Sequence, residues 1–256
     1  MSNLKSPAAI AVVIALLVCA GVYSALQTQR ERPESLQRWA ARWHDGRFAV
    51  ERPELAPPGR VRLVVFSDYQ CPFCGDVVPL VEDVVSGYSA ENAAVEMVER
   101  DYPLDSKCNA LIGRSVHPLA CDSAVAVRLI RKVKGIDEAR RTSNWLYQNR
   151  PTISSELIRT KLESLGLVAE FRDQYDALVS EIRADVTLAT ELGVSGTPTL
   201  FINGRLANVR DRRSLAALID HELSVLREHG ASPARSADNL SNGTANEIAV
   251  QARARP

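Results

Sequence analysis

The chain has 256 residues, of which 46% are hydrophobic and 24% are charged. This balance excludes a disordered or fibrous chain, and the length suits one large domain or two small ones. The 31 basic residues balance 31 acidic ones, so the charge gives no indication of a nucleic-acid partner or of binding to an anionic membrane surface.

An uncharged apolar run covers residues 8–26 and follows Lys5. At about 1.5 Å per residue, a helix of this length just spans a hydrocarbon core of roughly 30 Å. We interpret residues 1–26 as an uncut membrane anchor or as a cleaved signal peptide, and both place the rest of the chain outside the cytosol. The run is longer than a typical signal-peptide core, which favours the anchor. Cys19 also allows a lipoprotein signal, although Val18 occupies a place where such signals have a small residue.

The segments on either side of the predicted domain are polar. Residues 27–59 contain four prolines and one short helical stretch around residues 36–43, so we expect a tether. Residues 229–256 are rich in Ser, Ala, Asn and Arg without apolar periodicity, which predicts a disordered tail. The remaining residues, 60–228, suit one elaborated domain.

Strands are predicted at both ends of this domain. Residues 61–66 are almost continuously apolar, which is typical of a strand covered on both faces at the centre of a sheet. Residues 94–98 predict a second strand and residues 199–202 a third, which the tight turn Asn203-Gly204 joins to a short return strand. Together with the helices below, this order predicts an α/β domain whose mixed sheet has helices on both faces.

The first helix is expected to begin at Pro72, because proline is tolerated in the first turn, and to kink at Pro79. From about residue 106 to 185 the pattern is helical, with three apolar stripes, and we interpret it as a helical insertion between the two sheet-forming halves. Gly193 ends this series. A final helix carries an apolar stripe over residues 215–226.

Two of the five cysteines, Cys71 and Cys74, lie at the predicted junction of the first strand and its helix. The thiolate is the reactive form of cysteine, and the unpaired N–H groups and positive dipole end at a helix start favour it. We therefore predict that Cys71 attacks or is attacked, and that Cys74, one turn further and less exposed, resolves the mixed disulfide. A static disulfide is one alternative, and half of a zinc site completed by Cys108 and Cys121 is another.

The second cysteine pair, Cys108 and Cys121, is separated by 13 residues, and Cys121 begins the first helix of the predicted insertion. In an oxidising compartment such a pair most often forms a disulfide, which would stabilise the fold by about 2 to 3 kcal/mol. We predict a structural disulfide; the alternatives are a relay dithiol that exchanges with the first pair, and two unpaired thiols. His117 is interpreted as a surface or capping residue, with tuning of Cys121 as the alternative.

The residues from Phe66 to Cys74, Phe-Ser-Asp-Tyr-Gln-Cys-Pro-Phe-Cys, closely resemble the thioredoxin superfamily. With the helical insertion, the chain is similar to the periplasmic DsbA-type disulfide oxidoreductases. A second motif, Gly-Thr-Pro-Thr-Leu-Phe-Ile-Asn-Gly at residues 196–204, is similar to the cis-proline strand and hairpin of that family. The resemblance covers roughly residues 60–228 and implies a thioredoxin-like mixed central sheet flanked by helices, with an inserted helical subdomain.

The resemblance also implies roles for residues around the dithiol. In the family, the residue before the cis-proline and the proline itself lie against the active-site sulfurs, and these positions are Thr197 and Pro198 here; an ordinary trans-proline turn is the alternative. Pro72 and Phe73, between the two cysteines, would contact the substrate with them. The sequence departs from the family where a buried acidic residue commonly assists the resolving thiol, because that position is Val65. Phe73 also replaces a histidine of the most strongly oxidising members.

The resemblance implies an exported thiol:disulfide oxidoreductase that acts on extended or unfolded cysteine-containing polypeptides without a cofactor or a metal. A membrane-bound oxidase or reductase would be its redox partner, and residues 8–26 would anchor it to the inner membrane in the periplasm or another extracytoplasmic space. A peptide-binding chaperone or assembly module with an idle dithiol is the alternative from another class. Oxidases, reductases and isomerases share one constellation of residues, so the direction of electron flow is not predicted.

Overall fold

A computed structural model describes residues 35–91 and 94–229. The predicted anchor or signal peptide lies outside these residues, as do the start of the predicted tether and all but the first residue of the predicted tail. Among the described residues, no helix is long and apolar enough to cross a membrane. The chain divides into one unit that ends at Arg47 and a second that begins at Phe48. In the first unit, residues 35–46 form helix α1.

The second unit is built on a mixed four-stranded sheet with the order β2-β1-β3-β4. The strands are β1 (Val61–Ser67), β2 (Val95–Asp101), β3 (Thr199–Ile202) and β4 (Arg205–Ala207). β1 is parallel to β2 and antiparallel to β3, which is antiparallel to β4. The apolar residues of β1 are completely buried, as predicted for a central strand.

The helices of the second unit are α2 (Cys74–Glu91), α3 (Ala120–Lys134), α4 (Ile136–Asn149), α5 (Ser155–Leu165), α6 (Val168–Glu191) and α7 (Arg212–Glu228). Helices α3 to α6 lie between β2 and β3 in the chain, where the insertion was expected. Val64 and Phe66 of β1 pack against Val186 and Ala189 of α6, so alternate β1 residues face α6 on one side of the sheet. Helices α2 and α7 also contact β1, and α2 lies against β2 as well.

An ion-pair network connects the helical insertion to the end of β2. The guanidinium of Arg128 on α3 pairs with Asp101 at the last position of β2 and with Asp185 on α6. Asp185 also accepts a hydrogen bond from the backbone N–H of Asp101. Two buried carboxylates therefore share Arg128, and Asp185 also pairs with Arg100 of β2, so the network fixes α3 and α6 relative to the sheet.

The predicted hairpin is confirmed at Asn203 and Gly204, whose φ angles are 44° and 76°. Gly204 is also needed for close approach, because a Cβ atom there would lie 2.4 Å from the carbonyl oxygen of Val50. Asn203 connects three elements: its side chain accepts a hydrogen bond from the backbone N–H of Arg62 on β1 and donates one to Glu222 on α7.

Three helix predictions need correction. Helix α2 begins at Cys74 rather than Pro72, because residues 68–73 form a turn in which the Cys71 N–H bonds to the Asp68 carbonyl. The segment from residue 106 to 119 is a loop, not a helix. The insertion has four helices instead of the three predicted, and α4 is the one that was missed. Its buried face includes alanine, threonine and serine and therefore shows little apolar periodicity.

Candidate active site

Cys71 and Cys74 lie where β1 ends and α2 begins, and both carry free thiols. Cys71 lies just beyond the carboxyl end of the central strand β1, and Cys74 is the first residue of α2. Both residues are buried, but Cys71 keeps 4% of its surface exposed and Cys74 keeps none. Of the two sulfurs, Cys71 is therefore the one that an incoming group can reach.

The structure brings the second predicted motif against this pair. The Cys71 sulfur lies 3.4 Å from the carbonyl oxygen of Thr197, to which it donates a hydrogen bond when it is protonated. The peptide bond between Thr197 and Pro198 is cis. Two segments that are far apart in the chain thus meet at one sulfur atom, because β3 pairs with β1.

Several hydrogen bonds hold Cys71 as an anion, and they lower its pKa from 9.0 to about 6. The largest effect is the hydrogen bond from the Cys74 thiol. Burial opposes it, and the side chain of Thr197 and the backbone N–H groups of Cys74 and Phe73 lower the pKa further. The amides of the helix start, which the sequence analysis identified as the stabilising feature, therefore contribute less than the second thiol. At neutral pH, Cys71 is mainly a thiolate.

Cys74 behaves in the opposite way, because burial raises its pKa and the neighbouring Cys71 thiolate raises it further. The pair consequently carries one negative charge at neutral pH, on the more accessible sulfur, while Cys74 keeps its proton. This division suits Cys71 for attack on a disulfide, and it means that Cys74 has to lose a proton before it can attack in turn.

The two residues between the cysteines are presented to solvent. Pro72 is exposed, and Phe73 has 58% of its surface exposed although it is aromatic. The guanidinium of Arg210, just before α7, lies 5.6 Å from the centre of the Phe73 ring, a cation–π contact. No local pattern indicates Arg210, since its position beside the dithiol depends on how the chain turns after β4.

An acidic residue does lie on the inner side of the site, although Val65 does not provide it. Val65 is buried, and its partner in the parallel register with β2 is Glu99. The Glu99 carboxylate accepts hydrogen bonds from Ser67 at 2.7 Å and from the hydroxyl of Tyr147 on α4 at 2.6 Å. Burial raises the pKa of Glu99. Burial also raises the pKa of Tyr147, and the charges of Glu99, Tyr69 and Cys74 raise it further.

Glu99 also borders an open cavity of about 670 Å³ between β2, α2 and α4. Glu82, Arg131 and Arg140 line the same cavity, so its wall is charged and solvated. Glu99 was not identified from the sequence, because its place opposite Val65 follows from the β1–β2 register, which a single sequence does not give.

His117 lies beside the active-site turn rather than beside a free Cys121. Its Nδ1 is 2.9 Å from a carboxylate oxygen of Asp68, whose side chain is completely buried. The interpretation as a surface or capping residue was therefore wrong. The contact was missed because Asp68 and His117 approach each other only through the folding of the loop between β2 and α3.

Cys108 and Cys121 form a disulfide, with their Cα atoms 5.7 Å apart. Both residues are buried, and Cys121 lies at the start of α3 as predicted. Neither is then available to complete a zinc site with the first pair. Over residues 35–91 and 94–229, no group of three or more His, Cys, Asp or Glu side chains is placed to hold a metal ion.

Comparison with known proteins points to one family. Residues 56–221 match the family model described as Thioredoxin. The probable disulfide bond formation protein D of Bacillus anthracis is 24% identical over 216 residues, which cover 82% of this chain and 92% of that protein. The Na(+)/H(+) antiporter NhaA 3 of Salinispora tropica is 29% identical over 167 residues, or 61% of this chain. That match spans only 22% of the antiporter.

A solved structure shows the same fold. The thiol-disulfide exchange protein α-DsbA2 from Wolbachia pipientis superimposes with a TM-score of 0.51 at 16% identity. The superposition covers 75% of this chain and 98% of that one. The overall fold of this chain is therefore one that another protein shares.

Proposed function

Because the chain belongs to the thioredoxin family, we propose that it is a thiol–disulfide oxidoreductase that exchanges disulfides with cysteine-containing polypeptides. The observation that carries this proposal is the position of the Cys71 sulfur, 3.4 Å from the Thr197 carbonyl and next to the cis peptide bond of Pro198. The B. anthracis relative, named a probable disulfide bond formation protein, supports the same activity.

The exchange follows from the different charges on the two sulfurs. The Cys71 thiolate attacks one sulfur of a client disulfide, so a Cys71–client disulfide forms and the other client sulfur leaves as a thiolate. Cys74 then loses its proton and attacks the Cys71 sulfur, which closes the Cys71–Cys74 disulfide and releases the second client thiolate. The client gains two electrons and the enzyme loses two. The same steps in reverse oxidise a client dithiol.

We propose that Glu99 accepts the proton that Cys74 loses. Its carboxylate already accepts a hydrogen bond from Tyr147, which is near Cys74, and it borders the solvated cavity on its other side. Burial raises the pKa of Glu99 toward neutral pH, and an acid–base group exchanges protons most effectively when its pKa lies near the working pH. On this proposal the proton of Cys74 is taken up by Glu99 and passes from there to the water of the cavity.

The client segment would lie across the exposed surface beside Cys71. Pro72 and Phe73 present apolar surface there, and the backbone at Thr197 borders the sulfur from the other side. An extended chain suits this site, because main-chain groups and a flat apolar surface recognise a polypeptide with little sequence preference. Arg210, over the Phe73 ring, would then contact the same client segment.

The place of action is also part of the proposal. We assign the domain to an extracytoplasmic space, with residues 8–26 as an inner-membrane anchor or a signal peptide and a membrane-bound redox partner. The Cys108–Cys121 disulfide supports this assignment, because structural disulfides persist mainly in oxidising compartments.

Trapping of a mixed disulfide tests the activity. In the Cys74→Ala variant, Cys71 can attack a client disulfide, but no second thiol can release the client. Incubation with a disulfide-containing unfolded polypeptide at pH 8 should therefore give a covalent complex that dithiothreitol cleaves by reduction. The control is the Cys71→Ser, Cys74→Ala double variant, which should give no such complex. A Cys74→Ala variant that forms no covalent complex with the client would contradict the proposal and favour a peptide-binding module with an idle dithiol.

A further inference from the structure

The His117 ring is attached to the same short turn that carries the reactive sulfur. Asp68 joins the two: its carboxylate oxygen lies 2.9 Å from His117 Nδ1, and its backbone carbonyl accepts a hydrogen bond from the Cys71 N–H at 3.1 Å. The Asp68 side chain is completely buried, whereas that of His117 keeps 17% of its surface exposed. The imidazole is therefore fixed on the Cys71 turn but still in reach of protons from solvent.

Further hydrogen bonds hold the His117 segment and the turn together. The backbone N–H of Leu119 donates to the Gln70 side chain at 2.7 Å, so the two segments are joined at a second point. Leu104 closes the arrangement, because its N–H donates to Asp68 and its carbonyl accepts from the His117 N–H. Every atom that positions the ring thus belongs to the turn or to the loop between β2 and α3.

The disulfide keeps this loop in place from its far side. Cys108 lies in the loop and Cys121 at the start of α3, so the bond closes the segment that contains His117. Asp105 reinforces the closure by accepting hydrogen bonds from Ser115 at 2.8 Å and from the Cys121 N–H at 3.4 Å. With the loop closed by a covalent bond, the ring has little freedom to leave the turn.

The charges around the ring favour its protonated form. The hydrogen bond to Asp68 raises the pKa of His117 from 6.5, burial opposes it, and the charges of Asp68 and Cys71 raise it again. Both of these charges are negative, so each favours the imidazolium form. Cys71 itself is chiefly stabilised by Cys74, so the effect of His117 on the thiolate is an additional and smaller one.

We propose that His117 is the cationic partner of the Cys71 thiolate and that Asp68 is the residue that positions it. The role in exchange rests on the proposed function, whereas the charge interaction does not. The two residues between the cysteines, Pro72 and Phe73, carry no charge themselves, and we assign the cation to the loop. An imidazolium beside the thiolate stabilises the reduced protein relative to its disulfide, which makes the Cys71–Cys74 pair a stronger oxidant.

Reciprocity gives a test that needs no redox activity, because the thiolate must raise the pKa of His117 if His117 stabilises the thiolate. The pKa of each histidine in the full chain is measured by NMR in the reduced wild type and in the Cys71→Ser variant, which has no thiolate. The His117 pKa should fall in the variant. Equal His117 pKa values in the two proteins would overturn the proposal.

The second experiment measures the effect on Cys71. The thiolate absorbance of the reduced protein is followed against pH for His117→Gln and for the matched control His229→Gln, with an intact Cys108–Cys121 bond verified by mass spectrometry. In His117→Gln the acid dissociation constant of Cys71 should fall about three- to tenfold. Its equilibrium with glutathione should shift by about the same factor toward the disulfide, or roughly 15 to 30 mV.

The outcomes separate this inference from the proposed function. An unchanged Cys71 dissociation constant in His117→Gln, or an equal change in His229→Gln, would overturn the inference even if client trapping succeeds. Conversely, a failure of client trapping with both predicted shifts present would contradict the oxidoreductase activity alone and leave the assignment of the charge pair in place.

Discussion

Replacing Cys74 by alanine should make Cys71 a weaker acid, because the largest contribution to its acidity is the hydrogen bond from the Cys74 thiol. The total depression, from 9.0 to about 6, is three pKa units. At about 1.4 kcal/mol per unit, this corresponds to about 4 kcal/mol of preference for the anion. A hydrogen bond to a charged group contributes about 1.5 to 3 kcal/mol, so its loss should raise the pKa of Cys71 by about 1 to 2 units.

The sign of the effect is fixed by the charge. Cys71 is reactive above its pKa and protonated below it, so the wild type should react with iodoacetamide through an inflection near pH 6. The Cys74→Ala variant should have its inflection between about pH 7 and 8. At pH 6.5 its thiolate fraction should therefore be lower by roughly three- to twentyfold, and the alkylation rate lower by a similar factor.

Cys74→Ser is the matched control, because its hydroxyl can still donate a hydrogen bond to the Cys71 sulfur. Its inflection should lie closer to the wild-type value than that of Cys74→Ala. An inflection near pH 6 in all three proteins would refute the reasoning, since the amides of the helix start would then be sufficient to hold the thiolate. An inflection near pH 9 in the wild type would refute the depression itself.

Three further substitutions test the inner side of the site and the fold. In Glu99→Gln, a mixed disulfide between Cys71 and glutathione should close to the Cys71–Cys74 disulfide about tenfold more slowly or worse, as measured by stopped flow. The initial attack of Cys71 on oxidised glutathione should change little. An unchanged rate of closure would contradict the role of Glu99 as proton acceptor. Gly204→Ala should lower the free energy of unfolding, measured by urea denaturation, by about 1 to 3 kcal/mol. The control Gly113→Ala, at a position with open space around it, should be nearly neutral. Equal effects of the two substitutions would contradict the close approach at the hairpin. Arg128→Met should cost about 3 to 5 kcal/mol at pH 7, because it removes the ion-pair partner of the buried Asp101, whereas Asp185 keeps its pair with Arg100. The cost should shrink as the pH falls, because burial raises the pKa of Asp101 and protonation removes its unpaired charge. A cost independent of pH would indicate a packing effect instead.

Local sequence patterns predicted the elements that depend on neighbouring residues. The apolar run of β1 indicated a central strand because a strand buried on both faces shows no alternation. Asn203 and Gly204 predicted the hairpin because that turn requires positive φ at both positions. Cys71 and Cys74 were identified because a pair at this spacing after a buried strand has few other uses.

The features that were missed depend on contacts between distant segments. The start of α2 was placed two residues early, since nothing local to Pro72 reveals that Asp68 and Cys71 close a turn first. Glu99 required the register of β1 against β2, and His117 required the path of a loop that has no regular structure. In each case the deciding interaction joins residues whose approach is set by the tertiary fold, which periodicity does not encode.

The central claim is that Cys71 and Cys74 form a reversible, exchangeable disulfide, and equilibration with glutathione buffers tests it most directly. Alkylation of the remaining thiols, followed by mass spectrometry, gives the oxidised fraction of each pair at each ratio of reduced to oxidised glutathione. The account predicts that Cys71–Cys74 titrates fully within the glutathione range while Cys108–Cys121 stays oxidised throughout, as structural disulfides do. A first pair that stays reduced at every ratio, or that is as resistant to reduction as the second, would contradict it.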